Sequence, residues 1–309
     1  MAGGAVSTQA TSGAGTIFEY RVAAIVLGRL LRGAHLPVGT AQPLAQVGLQ
    51  RRNAGYPLDD IVAHTLPREA SLAAPVLQIQ VKVRLPTAAK DEDAAFVKVM
   101  AAALETCRMR RPEVRAGAML LGLAVGEDTA AVLPDLAYLA DKARAHVTPE
   151  SFEEQIRPGA VSSKRRALYA TVCAGVATAA ATDDPVLVLG LVHEVLGALH
   201  VWHATAGHDG AEWRAELDAL VDMATEAGLT ASDLLLQLCQ LAAAFAEHGG
   251  LVDAAHVRRE LRSRFDIQLP LPGESRKARS RGLTVKIGKV NGSVYNGEVM
   301  NFYGHRPDH

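Results

Sequence analysis

Aromatic residues are scarce in this chain, at 5% of 309 positions. A core with so few rings is filled by aliphatic side chains, and the abundance of Ala favours helices. Cysteine is nearly absent: Cys107, Cys173 and Cys239 share no Cys-x-x-Cys spacing. Each falls in a helical-looking segment, so they read as buried thiols in a reducing cytosol. No window of 18 apolar residues is free of charge, which argues against a membrane span. Met1 to Gly15 is small and polar, with no basic stretch ahead of an apolar one. No secretory leader is expected, and the chain reads as soluble and cytoplasmic. No Gly-x-x-x-x-Gly-Lys-Ser/Thr loop occurs, so no nucleotide cofactor is expected from this sequence.

Charge of one sign is also lacking overall, with a net charge of −1, but the balance hides a segregation. Residues 1–125 hold 14 Lys/Arg and 9 Asp/Glu, residues 126–269 hold 11 and 21, and residues 270–309 hold 7 and 3. A basic first segment suits a polyanion and an acidic middle does not, so any nucleic acid is expected on the N-terminal part.

The pattern predicts a helix from Thr16 to Leu31, ended by Gly33. Strands are expected around Ala45–Leu49, at Asp60–Thr65 and at Val76–Val83. A helix follows from Ala94 to about Met109, with Lys90 to Asp93 at its start, and then a continuous apolar strand at Met119–Val125. This α-β-β-β-α-β order implies a mixed sheet with helices against it. From Pro134 to about Phe265 the chain reads as helical almost throughout, including one helix over 185–204. Pro270 to Gly282 reads as a basic linker. The remainder is a short β tail with tight turns at Asn291-Gly292 and Asn296-Gly297. The expected organisation is thus 1–130, an α/β domain; 131–268, a helical regulatory or oligomerisation region; 269–282, a linker; and 283–309, the β tail.

The strand Val76–Val83 is the most telling segment. Ile79, Val81 and Val83 fall on one face, and Gln78, Gln80 and Lys82 on the other. A lysine in line with glutamines on an otherwise apolar strand needs a reason, since Lys is rarely buried unpaired. Asp59 and Asp60 open the preceding strand, and a hairpin through Pro67 to Pro75 brings them beside Gln80 and Lys82. In the first helix, Glu19 shares its helical stripe with Val22, Ala23, Val26 and Leu30, a costly place for a carboxylate unless it is paired or binds a cation.

Glu19, Asp60, Gln80 and Lys82, in that order, make roughly the first 125 residues resemble the PD-(D/E)xK nuclease superfamily. Within it they are most similar to the double-stranded DNA endonuclease domains that open many bacterial antiphage effectors. The matching stretches are Gly15-Thr-Ile-Phe-Glu19-Tyr-Arg-Val-Ala-Ala24, Leu58-Asp-Asp60-Ile and Gln78-Ile-Gln80-Val-Lys82. Phe96 and the Leu121-Gly-Leu-Ala-Val-Gly126 strand also fit. Gln80 stands where the family often has Glu; a Gln-x-Lys variant occurs in Mrr-like members, and it removes one charged ligand. The resemblance implies a restriction-endonuclease-like fold and Mg²⁺- or Mn²⁺-dependent hydrolysis of double-stranded DNA. Asp60 is the main metal ligand it implies, with Glu19 and the Gln80 carbonyl beside it, Asp59 replacing Asp60 if the register slips by one, and Lys82 supporting charge on the phosphate. Arg51, Arg52, Arg84, Lys90 and Lys98 are the candidates for gripping DNA backbone. Assembly with copies of itself or with a defence-system partner is expected to activate it.

Plainer readings stand beside each piece. Lys82 pairs structurally with Asp60 or reaches solvent, Asp59-Asp60 is a turn, and Glu19 is a surface carboxylate if the buried face centres on Phe18, Val22 and Ile25. Gln80 also fits a catalytically inactive DNA-binding or protein-interaction module on the same fold. His193, His200 and His203 fall near one stripe of the expected 185–204 helix, but without His-Glu-x-x-His spacing they read as packing residues. Ser162 to Arg166 reads as a solvated helix start.

Overall fold

A computed structural model describes residues 8–69, 73–87, 94–127, 132–270, 289–290 and 293–294, with side chains from Gly13 to Pro270 within those ranges. Lys90, the helix start at 90–93, most of the basic linker and most of the β tail lie outside the described residues. Met1–Leu269 forms one compact unit.

That unit runs α1 (Thr8–Arg32), β1 (Leu44–Leu49), a 3₁₀ turn (Arg52–Ala54), β2 (Ile61–Thr65), β3 (Val76–Arg84), α2 (Ala95–Met109), α3 (Arg111–Arg115) and β4 (Met119–Glu127). It continues through α4 (Leu133–Ala145), α5 (Pro149–Glu154), α6 (Ser163–Ala180), α7 (Pro185–Ala198), β5 (Leu199–His203), α8 (Ala211–Glu226), α9 (Ala231–His248), β6 (Leu251–Val252) and α10 (Ala254–Phe265). The result is a mixed α/β fold with a six-stranded sheet of order β5-β4-β3-β2-β1-β6. β1, β2 and β3 form an antiparallel meander, and β4 and β5 add in parallel to β3 through helical crossovers. In the separate unit Pro270–His309, Lys289–Val290 (β7) pairs antiparallel with Ser293–Val294 (β8).

The expected elements of the first 127 residues are present with shifted ends. The expected all-helical region is not all helical. Leu199–His203 is a strand paired with Leu121–Val125, and Leu251–Val252 pairs with Gly48 and Val47 at the other edge. His200 and His203 therefore sit on β5 and not on a helical stripe with His193. The apolar run that begins at Pro185 hid this break, because periodicity cannot separate a buried helix from a buried strand. The sheet joins β1–β4 with β5 and β6 from the region expected to be helical.

Two apolar layers cover the sheet. On one face α1 lies against Val47, Leu49, Ile61, Ala63, Ile79 and Val81, with α8, α9 and α10 behind it. On the other, α2, α4, α6 and α7 enclose Leu121, Leu123 and Val125 together with Leu58. Every residue from Val22 to Leu27 is buried, so α1 has no single buried face. It is sandwiched between sheet and helices, which is why it is apolar all round there. Its ends are fixed by close approaches. A Cβ on Gly126, at the end of β4, would lie 2.6 Å from the Phe18 ring, so only glycine lets the start of α1 seat against β4. Arg32 forks onto the buried Glu216 of α8, with Nη2 donating at 2.7 and 2.8 Å.

Among the described residues, no single helix is long and apolar enough to cross a membrane.

Candidate active site

The β2–β3 register places Ile61 opposite Ile79, which puts Asp60 directly across from Gln80 at the mouth of the hairpin. Asp60 is 8% exposed. Its Oδ2 accepts from the Val81 backbone N–H at 2.7 Å and from Gln80 Nε2, and faces Lys82 Nζ at 3.8 Å. The segment is tied to the end of β1. Gln50 N donates to the Asp60 carbonyl at 3.3 Å, and Arg51 N donates to the Asp59 carbonyl at 3.0 Å. Leu58, fully buried, anchors the approach to the strand.

Glu19, Tyr20 and Ala23 of α1 meet Leu49, Gln50, Asp60, Ile61 and Ala246 of α9 around a cavity of about 10 Å³, roughly the space of one water. The structure therefore brings Asp60, Gln80 and Lys82 into contact and sets Glu19 on the same cavity as Asp60. Asp59, half-buried, is close enough for its charge to act on both carboxyls.

Burial pushes the Glu19 carboxyl from its ordinary 4.5 up to about 7. The negative charge of Asp60 adds to this, and the Lys82 ammonium opposes it. Burial likewise raises Asp60, against the pull of Lys82 and the Val81 N–H. Two carboxyls raised in one cavity mark a place where added positive charge is favourable.

A consequence follows for the metal-free protein. Between pH 4.5 and about 7 the folded state keeps a proton on Glu19 that the unfolded chain has released. This contribution to stability is complete below the unfolded value and is lost as pH rises through about 7. Glu19 is only half-buried, so solvent screening keeps the effect small. Thermal melts of wild type and Glu19→Gln across pH 4.5–8 are expected to show a midpoint that falls by a few degrees more in wild type. Parallel curves would contradict the assignment.

The residues suit a hard divalent cation, which takes oxygen ligands and keeps several of its waters. Asp60 Oδ2 is already engaged by two N–H groups and an ammonium, whereas Oδ1 has Gln50 Nε2 at 3.5 Å and is the oxygen with more spare capacity. Glu19 and the carbonyl end of the Gln80 amide are the other donors. Among the described residues no three His, Cys, Asp or Glu side chains gather as a ligand set. The site instead relies on two carboxylates and an amide.

The basic candidates divide. Arg84 continues the Gln80–Lys82 face of β3 and is exposed, bound to Glu127 at 2.6 Å in a surface pair. Arg52 lies exposed in the 3₁₀ turn and Lys98 exposed on α2. Arg51 folds back instead. Its stem lies over Gly48, where a Cβ would meet Arg51 Cγ and Cδ at 3.0 Å, and its Nε is buried without a partner. The histidines are structural in setting: His193 Nε2 bonds the His146 carbonyl at 2.8 Å, and burial, with Arg144 nearby, pushes His200 down to about 4. Sequence reasoning missed Gln50, Tyr20 and Ala246. Tyr20 follows Glu19 on a helix read as one-sided, and nothing in the spacing marks the other two.

No protein family, curated protein or solved structure matches this chain.

Proposed function

We propose that this protein is a metal-dependent deoxyribonuclease with a restriction-endonuclease-like core, hydrolysing phosphodiester bonds in double-stranded DNA. The observation that carries the proposal is the Asp60 carboxylate, held by Gln80, Val81 and Lys82 beside the cavity it shares with Glu19. A bound Mg²⁺ or Mn²⁺ supplies Lewis acidity toward the scissile phosphate and a lowered pKa for a coordinated water. Asp60, Glu19 and the Gln80 carbonyl hold such an ion. Lys82 opposes protonation of both carboxylates and offers a compact N–H donor to phosphate oxygens. Arg84, Arg52 and Lys98 supply positive charge toward the DNA backbone, which gives affinity without sequence information. The Arg84–Glu127 pair is largely exposed and weak, so a phosphate can displace Glu127. The family resemblance adds a setting in bacterial antiviral defence, with activation by assembly.

Gln80 favours a second reading. With an amide in place of an acid, the site has one negative charge fewer, and a DNA-binding module without catalysis results. A titration with supercoiled plasmid separates the two. Nicking that requires Mg²⁺ or Mn²⁺ and stops with EDTA supports the nuclease. Salt-sensitive DNA binding with no cleavage under either metal selects the binding module.

A further inference from the structure

Gln50 closes β1 with φ at +50°, in the left-handed region. A side chain with a Cβ is strained there, and glycine or asparagine would sit more easily. The two backbone bonds that hold this turn, from Gln50 N to Asp60 and from Arg51 N to Asp59, ask for no particular side chain at position 50. Glutamine in a conformation that disfavours it therefore calls for a use of the side chain, and strain of this kind collects at functional sites.

The side chain has one. Gln50 Nε2 lies 3.5 Å from Asp60 Oδ1, long for a hydrogen bond but directed at the carboxylate oxygen left over by Gln80, Val81 and Lys82. Gln50 also lines the cavity of Glu19 and Asp60, and on its other side a hollow of about 330 Å³ that includes Arg51, Asn53 and His248. Gln50 and Ala246 line both.

We infer that Gln50 is a positioning residue for Asp60. Its carboxamide faces Oδ1 and that of Gln80 faces Oδ2, so the two bracket the carboxylate, and Gln50 holds its rotation beside the cavity it shares with Glu19. The functional meaning rests on the nuclease reading; the bracketing rests on the geometry. Partners behind a metal-binding carboxylate commonly matter by about 10- to 100-fold in metal affinity or activity.

The test uses the full chain with Gln50→Gly, which removes the amide and relieves the backbone, and Gln50→Asn, which keeps the turn with a shorter amide. Mn²⁺ affinity by calorimetry and plasmid nicking at saturating metal are both measured. Gln50→Gly is expected to melt at or a few degrees above wild type. It should bind Mn²⁺ about tenfold more weakly and lower kcat, with KM for DNA within twofold, and Gln50→Asn should fall between. A merely structural glutamine leaves Mn²⁺ affinity and kcat unchanged in Gln50→Gly, and that result overturns the inference while the nuclease stands. A Gln50→Gly chain less stable than wild type overturns the strain argument and the inference with it. Wild type that neither binds Mn²⁺ nor cleaves DNA overturns both readings together.

Discussion

Lys82→Met is expected to lower metal-dependent plasmid nicking about 10²- to 10³-fold while the melting midpoint stays within a few degrees of wild type. The Lys82 side chain is 29% exposed, and its Nζ stands 3.8 Å from Asp60 Oδ2, an ion pair without a short hydrogen bond. Partly exposed pairs of this kind stabilise a fold by about 1 kcal/mol or less, and a methionine replaces the buried stem well. Loss of the ammonium is felt at the site. Lys82 opposes the rise of both the Glu19 and Asp60 carboxyls, so without it each holds its proton to higher pH. Metal binding requires those carboxylates ionised, so its midpoint should move to higher pH in the variant. Lys82→Arg is not expected to restore activity, because a planar guanidinium does not substitute for a compact ammonium. Initial rates at saturating Mg²⁺ alongside thermal melts check both halves. Activity within a few-fold of wild type would remove Lys82 from the chemistry.

Glu216→Ala is expected to destabilise the fold by about 3–5 kcal/mol, visible as a drop in melting midpoint on the order of 10 °C. Glu216 is 1% exposed, accepts bidentate bonds from Arg32 at 2.7 and 2.8 Å, and has Arg29 Nε at 3.6 Å. Arg29 reaches onward to Glu212 at 3.1 Å. Removing the carboxylate strips Arg32 of this pair in a largely buried setting and leaves Arg29 with Glu212, and the uncompensated charge on Arg32 accounts for the cost. The packing is close: a Cβ on Gly28 would lie 2.5 Å from Glu216 Oε1, so Gly28→Ala should push in the same direction. This junction lies at the last turn of α1, away from Glu19, and its residues do not line the Glu19–Asp60 cavity, so cleavage per folded molecule should survive below the new midpoint. A Glu216→Ala protein that melts with wild type would show that the ion cluster adds nothing to folding.

The site's main parts were legible because each depends on local rules. Alternation along Val76–Val83, a Pro-bounded connection and an acidic pair before Ile61 are enough to put Asp60 across from Gln80. Glu19 was harder. A helix analysed as one-faced gave it a buried stripe or an exposed one, whereas α1 is enclosed on all sides from Val22 to Leu27 and more open before that stretch. The sheet was half legible. β5 was absorbed into an apolar helix because Leu199–His203 adjoins α7 without a proline, although Val201 and Trp202 are good strand residues. β6 is only two residues long and pairs with β1 from about 200 positions away, a non-local event that no window records. Gln50 was invisible for a related reason. A turn that calls for glycine or asparagine but holds glutamine is apparent only from its backbone angle.

The most direct measurement is calorimetric titration of the full chain with Mn²⁺ at pH 7.5, for wild type and Asp60→Ala. One site per chain in wild type, lost in the variant while its fold by circular dichroism is retained, is the predicted result. No heat of binding in wild type, or the same affinity after Asp60 is removed, would contradict a cation centre at this carboxylate.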